Sequence, residues 1–313
     1  MRFLILGAGS VGGYFGARLA ERGADVTFLV RPVRAAQIAQ SGLVLRSPRG
    51  DYQGQVRVTL MDDVQPTYDA VLLACKAYDL VPAIDAIAGA IGARTTVMPL
   101  LNGIAHYDVL AARFGSERVL GGIAHLAVTL SPEGHILHLN DIHSLTFGEL
   151  QGGRSRRTDN LHEALAGVNA DIVYSESIMH AVWDKWVMLA TLAGMTCLMR
   201  AGVGDICATD DGDAVTRELY SECCAVANAA QFPIPPEQQS VALNLLTRKN
   251  STFSASMLRD IERGGPTEGA HVLGDMLSRA RRHSIPTPVL RIAYAHVQAY
   301  EALRIAKTEH ELR

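Results

Sequence analysis

At 313 residues the chain exceeds the roughly 250–300 residues that a single hydrophobic core usually serves, so two domains are expected. A hydrophobic content of 48%, a charged content of 19% and a net charge of −3 describe an ordinary globular chain and give no basic run long enough for a nucleic-acid surface. The densest basic patch, Arg154, Arg156 and Arg157 in the stretch GGRSRR, reads as a solvated turn. Five cysteines, an odd number without a C-x-x-C pair, suit reduced thiols in a cytoplasmic protein; Cys75 and Cys197 lie in apolar stretches and read as buried. The apolar run after Arg2 is too short for a secretory signal. The best membrane candidate, residues 186–199, falls short of the roughly 20 residues needed to span, so a soluble protein without a membrane partner is expected.

In chain order, residues 3–6 are four apolar residues in a row, a buried strand. Gly7, Gly9 and Gly12 follow in the spacing G-x-G-x-x-G, and Val11, Phe15 and Leu19 recur at helical spacing up to Gly23. Residues 25–30 form a second strand and 33–42 a helix. Residues 43–60 alternate loosely around turn signals and predict one or two short hairpin strands. Residues 68–75 and 95–100 are further buried strands, with helices over 80–91 and 105–114. Two longer strands, 119–130 and 135–149, meet at the turn Pro132-Glu133-Gly134. A helix over 158–167 and a strand over 170–174 close this half. From about residue 177 only helical patterns remain: 178–198, 213–230, 236–248, 255–263, 269–283 and 290–305, with residues 307–313 expected to fray. Alternating strands and helices followed by helices alone predict an α/β fold: a Rossmann-type doubly wound sheet over residues 1–175, then an all-α domain over 176–313.

Strand, glycine turn and helix form the context in which G-x-G-x-x-G binds a dinucleotide. Gly7 permits the tight turn, Gly9 presents no side chain to the pyrophosphate and Gly12 lets helix and strand approach. The whole turn, Gly7, Ala8, Gly9, Ser10, Val11 and Gly12, is therefore a cofactor-binding candidate. Arg31 ends the second strand, where a carboxylate would hold the ribose 2′-OH of NAD and an arginine accepts the 2′-phosphate of NADP. This favours NADP(H), with Arg34 as an assistant. Asp25 lies at the wrong end of that strand. Lys76 and Asn102 terminate the next two strands, where ligands of open α/β sheets bind.

Lys185 sits in AVWDKWVMLATLAGMTCL, with Ala181, Leu189 and Leu192 at helical spacing. A desolvated lysine has a lowered pKa and donates a proton near neutral pH; the same pattern also fits a lysine snorkelling at the rim of a core helix. Trp183 and Trp186 read as packing. Ser256 and Asp260 share a helix face, and Glu268 opens the following helix. His106, four residues after Asn102, is a second candidate proton donor, set against a helix-start histidine facing solvent. His135 and His138 fall on opposite faces of one strand, so no metal site is expected.

Together these stretches resemble the ketopantoate reductase (2-dehydropantoate 2-reductase) family, essentially end to end. The resemblance rests on GAGSVGG, on VLLACKAYD with Lys76, on LNG with Asn102, on VWDKW with Lys185, and on SASMLRDIERGGPTEG with Ser256, Asp260 and Glu268 twelve residues after Ser256. It implies NADPH-dependent reduction of a 2-oxo acid, 2-dehydropantoate, to pantoate, a step toward coenzyme A. It also implies that Lys185 protonates the keto oxygen. Glu268 would hold the substrate hydroxyl or order Lys185 and reach the cofactor, and Ser256 with Asp260 would bind the substrate. Asn102 and Lys76 would lie between substrate and cofactor. The pattern departs at one place: family members commonly carry asparagines four and eight residues beyond the catalytic lysine, where this chain has Leu189 and Ala193. Two further readings follow, a family paralogue acting on a more apolar 2-oxo acid and a non-catalytic NADP(H)-sensing regulator. A dehydrogenase of the wider class acting on another hydroxy acid is a third. The helical half could supply a homodimer interface.

Overall fold

The computed structural model describes residues 1–311, and the chain divides into two compact units. The first comprises residues 1–101 and 106–179, the second residues 102–105 and 180 onward.

The first unit opens with β1 (Arg2–Leu6), α1 (Ser10–Glu21), β2 (Asp25–Leu29) and α2 (Pro32–Ser41). It continues through β3 (Leu43–Arg46), β4 (Tyr52–Gly54), β5 (Arg57–Thr59), β6 (Ala70–Leu73), α3 (Leu80–Ile87), β7 (Thr96–Pro99) and α4 (Ala105–Phe114). It closes with β8 (Leu120–Leu130), β9 (Ile136–Glu149), α5 (Arg156–Leu165) and β10 (Asp171–Tyr174). Five strands form an all-parallel sheet in the order β5-β2-β1-β6-β7. From β1 the chain winds outward through β2 and β5, then returns to β6 and β7 on the other side. The reversal falls beside β1, whose C-terminal end carries the glycine turn, the usual ligand position in such sheets.

The remaining strands build a second sheet, β10-β9-β3-β4, with β8 antiparallel to β9. The segment 43–60, read as hairpin alone, is therefore split. β3 and β4 do form an antiparallel pair, but β5 leaves it to run parallel to β2. Helix α1 touches strands of both sheets, which explains its burial from Gly12 to Leu19. A Cβ on Gly16 would lie 2.3 Å from Phe28 in β2, and one on Gly13 would lie 2.5 Å from Ile136 in β9. The core of this unit is Phe3, Ile5, Phe15, Phe28, Ile136 and Phe147 with their neighbours. Within it, Tyr14 Oη and His143 Nδ1 lie 2.8 Å apart, and Ser47 Oγ and His138 Nδ1 likewise. His138 and His143 are thus satisfied core residues. Cys75, read as buried, is only half-buried because it lies two residues past the end of β6.

The second unit is helical. It comprises most of α6 (Ile178–Met199), then α7 (Val203–Ile206), α8 (Gly212–Ala229), α9 (Pro236–Leu246), α10 (Ser256–Glu262), α11 (Asp275–Arg282) and α12 (Pro288–Glu311). Helix α6 is buried on nearly every side past Lys185. Its threonines are accommodated by back-bonding: Thr191 Oγ1 donates to the Val187 carbonyl at 2.9 Å and Thr196 Oγ1 to the Leu192 carbonyl at 2.7 Å. Helix α12 is capped from outside its own sequence. Glu222 of α8 supplies the cap, its two carboxylate oxygens accepting the Val289 and Leu290 N–H groups at 2.9 Å each. Of the stretch expected to fray, residues 307–311 continue α12 to Glu311, with Thr308 Oγ1 donating to the Arg304 carbonyl. Residues 312 and 313 lie outside the described part. No described helix is long and apolar enough to cross a membrane.

Candidate active site

The glycine turn has the shape that a dinucleotide requires. Gly7 adopts φ +86°, a conformation that side chains disfavour, and its N–H donates to the Leu29 carbonyl at 2.9 Å, tying the turn to the end of β2. A Cβ on Gly12 would lie 2.4 Å from the Gly7 carbonyl oxygen, so only glycine closes this turn. Gly9 is the opposite case, since a Cβ there would meet nothing within 4 Å. The fold itself does not need glycine at that position; a ligand that presses on the turn does. Gly9 is also the N-cap of α1, with no side-chain cap and no acidic residue in the first turn, so the helix end keeps its positive field for an anion.

Arg31 stands at the end of β2 with its side chain 80% exposed and in a 3.4 Å contact with Asp79. Asp25, at the other end of β2, is engaged by Arg2 and Arg57. Arg34, read as an assistant to Arg31, is tied to the glycine turn. Its Nε donates to the Ala8 carbonyl at 3.0 Å and it also bonds Gln37, so it braces the glycine turn from α2. Lys76 is half-buried just beyond β6 and begins a short 3₁₀ turn.

The second unit carries a separate group of side chains. Lys185 lies on α6, flanked by the buried Trp183 and Trp186. Its ammonium is desolvated, which brings its pKa from the ordinary 10.5 down to about 8, while the Glu268 carboxylate acts in the opposite sense. Glu268 is itself buried, 6% exposed, just ahead of an irregular π-turn over Ala270–Gly274 that leads into α11. Such single π-turns are frequent at functional sites. This one places His271 beside Glu268 and presents the Val272 carbonyl to the Trp186 indole N–H at 3.0 Å.

His271 is a candidate site residue that the sequence reading missed. Its ring donates to the Asn102 main-chain carbonyl. Burial lowers its pKa, against the raising effects of Glu268, Asp275 and that hydrogen bond. Gly103, at φ +76°, leaves the space: a Cβ there would lie 2.9 Å from the imidazole. Lys185, Glu268, His271 and Asn102 thus form one connected set. His271 stands three residues after Glu268, but the π-turn between them removes the regular helical spacing that would have paired them from sequence. Ser256 and Asp260 share α10 as expected. Asp260 acts electrostatically on Cys197 of α6 and on Tyr300 of α12. His106 belongs to the first unit and does not face solvent: it is completely buried, its ring centroid 4.1 Å from that of Tyr107. Among the described residues, no cluster of histidine, cysteine or carboxylate side chains could hold a metal ion.

Comparison with known proteins gives this arrangement its class. The profile described as "Ketopantoate reductase PanE/ApbA" matches residues 3–152, and its companion "Ketopantoate reductase PanE/ApbA C terminal" matches residues 177–301. The chain is 38% identical over 302 residues to the "Uncharacterized oxidoreductase YkpB" of Bacillus subtilis (strain 168), covering 96% of this chain and 99% of that protein. The crystal structure of a PanE/ApbA family ketopantoate reductase from Ralstonia eutropha JMP134 superimposes with a TM-score of 0.88 at 26% identity, over 97% of this chain and 99% of the other. The ternary structure of D-mandelate dehydrogenase with NADH and anilino(oxo)acetate gives the same TM-score, 0.88, at 21% identity, covering 97% of this chain and 99% of that one; this likeness is one of fold. The chain belongs to the ketopantoate reductase family and is an oxidoreductase acting on CH–OH groups.

Proposed function

We propose that the protein is an NADPH-dependent 2-oxo acid reductase, with the first unit binding the cofactor, the second acting on the substrate, and Lys185 as the proton donor. The observation that carries this reading is the desolvated Lys185 ammonium in electrostatic contact with a buried Glu268. Glycine at position 9, where the fold leaves open space, and the exposed Arg31 at the end of β2 fit a phosphorylated dinucleotide. The bound nicotinamide supplies the hydride. Reduction of a ketone builds negative charge on its oxygen; the Lys185 ammonium stabilises that charge and delivers a proton to the same atom. Glu268 retains the charge on Lys185 against desolvation and accepts a substrate hydroxyl. His271 fixes Glu268 relative to Asn102, which with Lys76 contacts substrate and cofactor, while Ser256 and Asp260 engage the substrate's polar end.

Membership of the family supports 2-dehydropantoate as the substrate; with that substrate the enzyme would serve pantothenate and coenzyme A biosynthesis. A second reading rests on α6. One and two turns beyond Lys185 stand Leu189, half-buried, and Ala193, buried, where family members commonly carry asparagines. Each lost hydroxyl contact removes about 1–3 kcal/mol of discrimination, which favours a more apolar 2-oxo acid. The intact pair Lys185 and Glu268 speaks against a non-catalytic NADP(H) sensor.

A panel comparing 2-dehydropantoate with 4-methyl-2-oxopentanoate and phenylglyoxylate decides between the substrates. Reduction of 2-dehydropantoate with a kcat/KM of about 10⁴ M⁻¹s⁻¹ or better establishes it and dismisses the apolar reading. A higher value for an apolar acid establishes the second. Turnover of none of the three with either nicotinamide cofactor overturns the reductase proposal.

A further inference from the structure

The basic stretch GGRSRR that reads as a solvated turn is only partly so. Arg154 pairs with Asp159, its Nε 2.5 Å from Oδ1. Arg157 is neutralised by Glu149 through two contacts, one of them 2.8 Å from Nε to Oε1. Arg156, at the first position of α5, has no ion pair or hydrogen bond among the described residues, and neither has Arg94. These two unpaired guanidinium groups line the same open cavity of about 460 Å³, within the first unit. Its remaining wall includes the Thr96 hydroxyl, the Asn160 amide, the Asp69 carboxylate and the apolar surface of Leu161.

The location separates this cavity from the cofactor site. Asp69 and Thr96 stand at the N-terminal ends of β6 and β7, whereas the glycine turn follows the C-terminal end of β1. A strand of four or five residues spans about 15 Å, so the two lie on opposite edges of the parallel sheet. The charge balance is also local. The chain as a whole is acidic at −3, yet this cavity gathers Arg94, Arg156 and Arg157 against a single lining carboxylate, and only Arg157 has an acidic partner. One oxygen of that carboxylate already accepts the Arg2 N–H at 2.7 Å, which leaves the other for a ligand hydroxyl.

We propose that this cavity is a second binding site, for a hydroxyl-bearing organic phosphate. Arg94 and Arg156 bind the dianionic phosphate, which matches the planar donor fork of arginine. Asp69 and Asn160 take the hydroxyls, and the less polar part of the ligand rests on Leu161. A volume of about 460 Å³ lies in the range of small-molecule sites and leaves inorganic phosphate poorly contained.

Ribose 5-phosphate is the probe, titrated calorimetrically into the full-length protein with the cofactor site already saturated by NADP⁺. The expected result is one site per chain with a dissociation constant of about 1 mM or tighter, weakening as salt is added. Arg94→Gln and Arg156→Gln should each weaken it about tenfold, and the double variant should abolish it. Arg154→Gln removes the same charge from the same loop outside the cavity and should leave it within about twofold. Since Arg94 and Arg156 are exposed, both variants should melt like the wild type. Absence of binding overturns the proposal, as does unchanged binding in the double variant or an equal loss in Arg154→Gln. Equal affinity for inorganic phosphate overturns the assignment to an organic ligand.

Discussion

Lys185 is costly where it stands. Desolvation opposes its charge and a single buried carboxylate, Glu268, supports it, leaving a pKa of about 8. A donor protonated below that value and neutral above it has a defined pH dependence. We predict that kcat/KM for ketone reduction falls tenfold per unit above about pH 8, and that the reverse oxidation, which needs the neutral amine, rises over the same range. The same displacement acts on stability. Because the folded pKa lies below the ordinary 10.5, the folded state binds fewer protons between about pH 8 and 10.5. The lysine therefore destabilises the fold at neutral pH, and this cost is relieved as pH rises through that interval. Arg31 acts at the same scale with a different partner. It is exposed and loosely tied to Asp79, so Arg31→Ala should raise the KM for NADPH about tenfold and leave that for NADH nearly unchanged. Steady-state kinetics with both cofactors measures the difference.

At the scale of elements, the junction of β1 and α1 separates what the fold needs from what a ligand needs. Gly12→Ala drives a methyl into the Gly7 carbonyl and should lower both the melting temperature and the affinity for NADPH. Gly9→Ala meets open space, so it should cost less than about 1 kcal/mol of stability while weakening NADPH binding at least tenfold. Thermal melts and cofactor titrations of the two variants test this contrast. Helix α12 depends on a different contact. Glu222→Ala leaves the Val289 and Leu290 N–H groups without their acceptor and should destabilise the protein by about 1–3 kcal/mol, measured by urea unfolding. The elements also show what local patterns reveal. The parallel strands β1, β6 and β7 are short continuous apolar runs bounded by turns and were readable as such. The strands of the second sheet were readable too, β8 and β9 with the turn between them, but their assembly was not: β3 pairs with β9 across roughly ninety residues, from Leu45 to Ile136, and no local signal records such a partner. The departure of β5 from its expected hairpin has the same origin.

For the whole molecule, two units carry the two candidate centres: a parallel sheet with its glycine turn, and a helical unit with a desolvated lysine. Glycine spacing and the apolar surroundings of Lys185 pointed to both candidate centres in the sequence, and the family pattern added a role for Glu268. His271 escaped because a lone histidine in the stretch GAHVLG carries no pattern. The π-turn that sets it between Glu268 and Asn102 breaks the helical period on which the reading relied. Arg156 escaped for a related reason: whether an arginine in a basic run has an acidic partner is decided by the fold, and Arg154 and Arg157 do while Arg156 does not. The proposed reduction turns on one side chain, Lys185. The decisive measurement is NADPH turnover by Lys185→Ala with its best 2-oxo acid, alongside NADPH affinity of the same variant. A loss of about 10²–10⁴-fold in kcat with NADPH binding retained is the predicted result. Turnover near the wild-type rate would contradict it, and would mean that the proton comes from elsewhere.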